Sequence, residues 1–309
     1  MLDITVVILT KDEELHIERA IKNIAGWVKR VVVVDSGSRD RTVLIAAALG
    51  AEIYEHPFKN YSEQFQWALD NCDIKTQWVM RLDADEYLET DLISSLVEKI
   101  PTVGPEIVGV NFKRKHIFWG RWIRFGGRYP LILLRLWRSG FGRIEDRWMD
   151  EHIVVWGGST ITIEGGFCDE NMNNLSFFTD KHNKYATREA LDVVIEKYRL
   201  DKLDSALASS SSSFQASIKR TLKRMVYNKI PFQFSAFLYF LWRYFFQLGF
   251  LDGLAGIVYH FLQGFWYRFL VGAKVRELEM SIDFSQEREL VLSDLSRATG
   301  HRVGGVHLN

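Results

Sequence analysis

The sequence predicts an α/β fold, a Rossmann-like and mostly parallel sheet, followed by a C-terminal helical region. Three observations predict it. Strand-like runs at residues 4–9, 31–34, 51–54 and 77–82, the first of them rich in β-branched residues, alternate with amphipathic stretches, and strands alternating with helices imply right-handed βαβ units. Three of these runs end in polar loops, Thr10-Lys11-Asp12-Glu13, Asp35-Ser36-Gly37-Ser38 and Asp83-Ala84-Asp85, where ligands of open α/β sheets bind. Phe, Trp and Tyr then crowd the last third of the 309 residues.

Residues 4–9 read as a buried parallel strand. Leu15, Ile17, Ile21 and Ile24 follow at helical spacing, with Thr10 and Glu13 as a capping box. Residues 31–34 form the second strand and lead into a polar loop at 35–42, where Gly37 permits a tight turn. A helix over 43–49 stops at Gly50, a strand follows at 51–54, a helix at 61–72, and a fourth strand at 77–82. On a continuing strand Asp83 and Asp85 would face one side. Convergent carboxylates repel unless a cation lies between them, and Mn²⁺ or Mg²⁺, which take oxygen ligands, are the natural candidates. The first turn of a helix over 88–100 explains the same acids equally well. Neither GxGxxG nor GxxxxGK[ST] is present, so the dinucleotide fingerprint and the P-loop are excluded.

A further strand covers 108–115. Arg124, Arg128, Arg135 and Arg138 then interleave with aromatics, a pattern suited to phosphate or sugar. An antiparallel extension with solvated arginines is the leading reading for most of them. The balance of 39 basic and 39 acidic residues gives no global nucleic-acid footprint. A second acid cluster, Glu145, Asp146, Asp150 and Glu151, precedes His152. A helix begins near Leu175. Residues 205–213 are a serine-rich break, and Lys219, Arg220, Lys223 and Arg224 make the next stretch basic. Two apolar limbs at 232–250 and 254–272 approach the roughly 20 residues that span a bilayer. Arg243, His260 and Arg268 within them suit an interface better than a hydrocarbon centre. The order of readings is an interfacial or re-entrant hairpin, a two-span hairpin, then a buried helix pair. The implied divisions are 1–200, 201–230, 231–275 and a polar tail at 276–309. Cys72 and Cys168 form no framework, which fits a reducing compartment. The opening Met1-Leu2-Asp3-Ile4 has no basic leader, so no signal peptide is expected.

The opening strand with Thr10-Lys11-Asp12-Glu13-Glu14, the VVVVDSGSRDRT segment at 31–42 and the LDADE segment at 82–86 resemble, in order and spacing, the family 2 glycosyltransferases. That resemblance implies the inverting GT-A fold and a nucleotide-sugar donor, usually a UDP-sugar. It implies that Thr10, Glu13 and Asp35 line the base and ribose site, with Ser36 and Ala84 in the same loops. Asp83 would hold the ribose or lie near the metal. Asp85 would bind the Mn²⁺ or Mg²⁺ that bridges the diphosphate, with His152 as a third ligand or simply a hydrogen-bonded loop residue. Lys11 and Arg81 would assist the phosphates. Displacement at an anomeric carbon needs a base for the acceptor hydroxyl. Relatives acting on lipopolysaccharide core carry His-Glu where this chain has Asp150-Glu151, a departure; Glu151 is favoured over Asp150. The 165–190 segment resembles the same lipopolysaccharide and exopolysaccharide enzymes, with His182 and Lys184 either near the diphosphate or on a solvated helix face, the latter leading.

The resemblance implies a lipid-linked saccharide acceptor of a cell-surface glycan, met at the cytoplasmic face of the inner membrane. A nucleotidyltransferase would need a basic, glycine-rich loop after the first strand, where this chain is acidic. A non-catalytic membrane scaffold would need no paired acids.

Overall fold

The computed structural model describes residues 1–145, 152–200 and 231–301. It divides into two compact units, residues 1–173 and 174–309. The first unit is a sheet with helices on both faces. Its opening strands are β1 (Leu2–Thr10), β2 (Val28–Asp35), β3 (Glu52–Glu55) and β4 (Trp78–Arg81). Between them run α1 (Ile17–Ile24), α2 (Thr42–Ala48) and α3 (Tyr61–Asn71). Later strands are β5 (Glu86–Leu88), β6 (Ile107–Phe118), β7 (Arg121–Ile123), β8 (Leu131–Arg138), β9 (Gly142–Ile144), β10 (Ile153–Val155), β11 (Ser159–Thr162) and β12 (Phe167–Glu170). Helix α4 (Thr90–Lys99) follows β5.

The sheet order is β3-β2-β1-β4-β8-β6-β12-β5, with β7 and β11 also on β6, while β9 and β10 pair as a separate hairpin. Pairing is parallel from β3 to β4 and becomes antiparallel at β8. The β-branched runs explain the parallel half, because both faces of those strands are covered. Ile4, Val6 and Ile8 pack with α1, α2 and α4 on one face. Val7, Val32 and Val34 pack with Phe65 and Ala68 of α3 and with the β9–β10 hairpin on the other. The chain leaves β1 toward β2 and β3, then crosses back to β4 on the opposite side of β1. The crevice between the carboxyl ends of β1 and β4 is therefore the topological switch point.

Two local expectations change. Thr10 does not cap a helix, because β1 extends through it and α1 starts at Ile17 after an uncapped His16. The acid stretch does not open a helix either, since β5 intervenes before α4.

The second unit is helical. Helix α5 (Leu175–Tyr198) is capped by Asn174, whose side chain accepts from the Phe177 N–H at 2.9 Å. Helix α6 (Phe232–Leu241) runs into a π-helical turn at Trp242–Phe246, a 3₁₀ turn at Gly249–Asp252, α7 (Gly253–His260), a second π-helical turn at Phe261–Trp266, then α8 (Tyr267–Ser281) and α9 (Arg288–Thr299). The polar tail expected from 276 is corrected within the described residues: Leu278, Val291, Leu292 and Leu295 form a core with Ala190, Leu191 and Val194. Arg243, whose charge suggested an interface, is buried, with its guanidinium 5.6 Å from the Tyr239 ring. His260 is buried, with its Nε2 3.3 Å from Asp252 Oδ2. The serine-rich break and basic stretch at 201–230 lie outside the described residues.

Candidate active site at the switch point

The first two polar loops are tied to each other before they offer anything to a ligand. Thr10 ends β1 and its hydroxyl donates to Asp35 Oδ1 at 2.9 Å. Asp35 Oδ2 accepts the N–H groups of Gly37 (2.8 Å) and Ser38 (2.7 Å), an Asx-type turn. Gly37 sits at φ 80°, the left-handed region that favours glycine. The Asp12 N–H donates to the Ser38 hydroxyl at 2.8 Å and its carboxylate accepts the Arg39 N–H at 2.7 Å. The Glu13 N–H donates to the Thr42 hydroxyl at 2.7 Å. Lys11 Nζ donates to the Gly37 carbonyl, and Ser36 exchanges hydrogen bonds with Gln64 of α3. Thr10 and Asp35 thus stiffen the crevice from within, while Lys11, Glu13 and Ser36 sit along its rim.

The third loop turns. Strand β4 ends at Arg81, and the Glu86 N–H donates to the Asp83 carbonyl at 2.9 Å while the Asp83 N–H donates to Glu86 Oε2 at 2.9 Å. Asp83 and Asp85 are therefore placed by a turn, not by the pleat of a strand. Asp83 Oδ1 accepts the Tyr61 hydroxyl at 2.5 Å and Arg81 Nε at 3.4 Å, and Oδ2 accepts from Arg135 at 3.2 Å. Burial opposes ionisation of Asp83, but Arg81, Arg135 and the Tyr61 hydroxyl outweigh it and hold the carboxyl well below the usual range. Glu86 is 1% exposed and pairs with Arg135. Burial raises its pKa, Asp83 and Asp169 add to the rise, and Arg135 opposes it.

Asp85 is braced from the far end of the first unit. Its Oδ2 accepts from the Asn171 side-chain amide at 3.1 Å, and its carbonyl accepts from the Glu170 N–H at 2.9 Å and from Arg19 at 3.2 Å. Arg19 also donates to the Glu170 carboxylate at 2.6 Å. His16 closes the brace: its Nε2 accepts the Met172 N–H at 2.9 Å, so the ring proton sits on Nδ1 and goes to Glu13 at 2.7 Å.

The two acids differ as ligands for a hard cation. Asp83 is claimed by two guanidinium groups and a phenol, so it does not fit direct ligation. Asp85, held by an amide, fits as a single carboxylate; Mg²⁺ is commonly bound through one or two carboxylates plus substrate phosphates. Among the described residues no group of three His, Cys, Asp or Glu side chains is placed to hold a metal, so the expected trio of Asp83, Asp85 and His152 is not assembled. His152 is exposed, and its carbonyl accepts the Glu145 N–H. Asp150 and Glu151 lie outside the described residues. In the second unit Lys184 is exposed on α5, whereas His182 is engaged through Nδ1 with the Phe178 carbonyl and through Nε2 with Gln263.

Sequence reading missed Tyr61, Glu86, Arg135, Arg19, His16 and Asn171. Arg135 carried a signal: it sits within the apolar Leu131–Arg138 strand, where an arginine needs a buried partner. It is 4% exposed, against the expectation of solvated arginines. Arg19, His16 and Asn171 carried none, because their partners lie 66 to 156 positions away.

Residues 5–162, half of the chain, match the family model for glycosyl transferase family 2. Over 89 residues the chain is 42% identical to an uncharacterized glycosyltransferase of Rickettsia bellii, covering 29% of this chain and 30% of that protein. An uncharacterized glycosyltransferase of Rickettsia typhi is 40% identical over 92 residues, covering 30% of this chain and 31% of that protein. The chain thus spans about three tenths of the length of these relatives. Among solved structures, the glucosyl-3-phosphoglycerate synthase of Mycobacterium tuberculosis, in complex with Mn²⁺, UDP and glucosyl-3-phosphoglycerate, is 26% identical, with 37% of this chain and 43% of that chain covered and a TM-score of 0.31. Taken with the three polar loops at the carboxyl ends of β1, β2 and β4, the match over half its length shows that this chain belongs to glycosyl transferase family 2.

Proposed function

We propose that this chain is an inverting glycosyltransferase that moves a sugar from a nucleotide-sugar donor, a UDP-sugar in our reading, to a lipid-linked saccharide of a cell-surface polysaccharide or lipopolysaccharide. The observation that carries the proposal is the Asp83-Ala84-Asp85 turn, which follows β4 at the crevice where strand order reverses. In this reading Thr10 and Asp35 shape the nucleotide pocket, and Glu13, Ser36 and Ala84 line it. Lys11 and Arg81 offer positive charge to the diphosphate. Asp83 positions Arg81 and Arg135 rather than binding metal. Asp85 would hold Mn²⁺ or Mg²⁺, and such an ion stabilises the charge of a departing nucleoside diphosphate. Glu151 is the proposed base, with Asp150 its alternative, and single displacement turns an α-linked donor into a β-linkage.

The membrane part rests on the second unit. Phe234, Trp242, Phe245, Phe246, Leu251 and Leu254 are exposed, Phe246 at 72% and Leu254 at 76%. Exposed apolar surface on this scale marks a membrane or partner site. Among the described residues no single helix is long and apolar enough to cross a membrane, and one pair, Phe232–Phe246 with Gly249–Ser281, passes by length and composition with a bend of 72°. An interfacial hairpin on the cytoplasmic face would hold the enzyme where a lipid-linked acceptor is met.

The test is a panel of nucleotide sugars, with nucleoside diphosphate release measured with Mn²⁺ or Mg²⁺ and again in EDTA. Release from a UDP-sugar that stops in EDTA is the expected result. Release from none of them, or full turnover in EDTA, overturns the donor or the metal assignment respectively.

A further inference from the structure

The turn that joins the two apolar limbs of the second unit is built inside out. Every exposed residue from Phe245 to Ile257 is Phe, Leu or Ile. Between residues 244 and 267 the Asp, Glu, Lys, Arg and His residues are Asp252 and His260, which are 2% and 0% exposed and pair at 3.3 Å. Two glycines make room for that pair. A Cβ on Gly249 would stand 2.8 Å from His260 Cδ2, and one on Gly256 would stand 2.4 Å from Asp252 Cβ. A turn in water carries its polar groups outward; here they are sunk, and the large apolar groups face out.

The backbone of the turn also meets the condition that hydrocarbon sets, namely that main-chain polar groups be bonded within the protein. The Gln247 N–H donates to the Trp242 carbonyl at 3.0 Å, the Leu248 N–H to Phe245 at 3.3 Å, and the Leu251 N–H to Leu248 at 2.9 Å. Trp and Tyr prefer the headgroup level of a membrane. The two tryptophans of the hairpin, Trp242 and Trp266, stand behind the tip on the limbs, and Arg268 joins the limbs there, with its guanidinium 3.8 Å from the Tyr239 ring.

Length decides how far such a turn enters. The limbs lie side by side, with Phe232 against Phe269, Phe237 against Phe265 and Phe240 against Phe261 at ring separations of 5.2, 6.2 and 6.2 Å. The first limb is ten residues of α6 and five of π-helical turn, and the second is eight residues of α7 and six of π-helical turn. Each is roughly 21–22 Å long at 1.5 Å per residue. One leaflet supplies about 15 Å of hydrocarbon and the whole core about 30 Å. A hairpin that enters tip first therefore fills one leaflet and does not reach the far side. We propose that this hairpin enters a lipid bilayer tip first, with Phe246, Phe250, Leu251 and Leu254 among the acyl chains, and leaves on the side it entered. This rests on the membrane reading above, and it adds the direction and depth of entry. A second copy of the chain would cover one face of the hairpin, whereas the exposed apolar groups lie on both limbs and around the turn.

The experiment is depth measurement by spin-label EPR on the full chain bound to vesicles of phosphatidylglycerol and phosphatidylethanolamine, with flotation of the vesicles as the binding assay. Phe234→Cys, Phe250→Cys, Leu254→Cys and Met280→Cys each place one label at an exposed position, while the native Cys72 and Cys168 are buried. The labels at positions 250 and 254 should lie at least about 10 Å deeper than the label at 234, out of the roughly 18 Å that separate 234 from 246 along a helix axis, and the label at 280 should remain in water. Flotation with the labels at 234, 250 and 254 at one depth would mean a hairpin lying flat, which overturns the proposal and leaves the membrane reading standing. A tip label reached by a nickel complex trapped inside the vesicles would mean a full crossing and overturns it equally. Absence of flotation, with the tip labels shielded in a dimer in solution, removes the membrane reading itself and gives the surface to a second copy.

Discussion

The acid turn of the first unit and the aromatic hairpin of the second solve opposite problems. At the turn, charged groups are taken out of water and matched: Asp83 with Arg81, Arg135 and Tyr61, Glu86 with Arg135, and Asp85 with Asn171. At the hairpin, polar groups are also matched inside, as His260 with Asp252, but large apolar groups are left facing outward. The first arrangement costs desolvation and gains a fixed geometry, which a site for a charged leaving group needs. The second leaves hydrophobic area unspent and so calls for something to cover it. The difference teaches where each unit is complete. The turn is completed by groups of its own chain, whereas the hairpin leaves apolar groups exposed among the described residues.

The largest effect expected is on the turn. Asp85→Ala should lower transfer on the order of 10³-fold or more in steady-state assays, with UDP-sugar turnover as readout; near-normal turnover would place the cation's carboxylate elsewhere and break the contrast between Asp83 and Asp85. Arg135→Met strands Glu86 and should cost about 3–5 kcal/mol of stability in urea unfolding. Its pH dependence has a definite sign. Burial already raises Glu86 above its ordinary value of 4.5, and Arg135 opposes the rise. Without Arg135 the folded value climbs beyond the value of about 8 that it has in wild type, so the part of the penalty linked to Glu86 is absent below about pH 8, where folded Glu86 is protonated with or without Arg135, and grows as pH rises above it. A penalty that instead grows toward acid pH would show that Glu86 is not the group left behind.

Glu151→Gln keeps shape and removes basicity, so transfer should fall by roughly 10² to 10⁴-fold while UDP still binds. Normal transfer by this variant with loss in Asp150→Asn would exchange the two roles. For the hairpin, Phe246→Ser with Leu254→Ser should weaken binding to anionic liposomes by about tenfold or more and leave the unfolding midpoint of the sheet unit in place. Unchanged liposome binding would remove lipid as the missing cover. The smallest effect is Asn60→Ala at the N-cap of α3, where the side chain accepts the Glu63 N–H at 2.7 Å; a loss of about 1 kcal/mol is expected in thermal unfolding, and a much larger loss would mean the helix start also holds the acid turn through Tyr61.

What was legible in the sequence follows the same division. The strands of the parallel half were legible because burial on both faces forces uninterrupted runs such as Val31-Val32-Val33-Val34. The acids were legible as a cluster but not as two roles, since the roles depend on Tyr61 and Arg135 arriving from other elements. Thr10 looked like a cap because Glu13 stands three residues on; the competing hydrogen bond to Asp35 lies 25 positions away and leaves no local mark. The helices after 276 were hidden because the buried apolar residues there, such as Leu278, Val291, Leu292 and Leu295, are scattered through a polar stretch. The apolar limbs of the hairpin were legible by composition, and the burial of Arg243 was not, since nothing near it in sequence announces that an arginine turns inward.

The brace on Asp85 has a consequence for how the protein is made. Asn171 is 86 positions downstream of its partner, and Met172 is 156 downstream of His16. Synthesis at about 5–20 residues per second leaves the turn without Asn171 for roughly 4–17 s. During that interval the parallel strands can already pair, but Arg19 and His16 have no Glu170 or Met172 to hold. The rim of the crevice is thus begun with the first ten residues released and closed only when the last strand of the sheet unit has emerged, which makes a ribosome-stalled chain ending before Glu170 a natural snapshot of the crevice in its unlatched form.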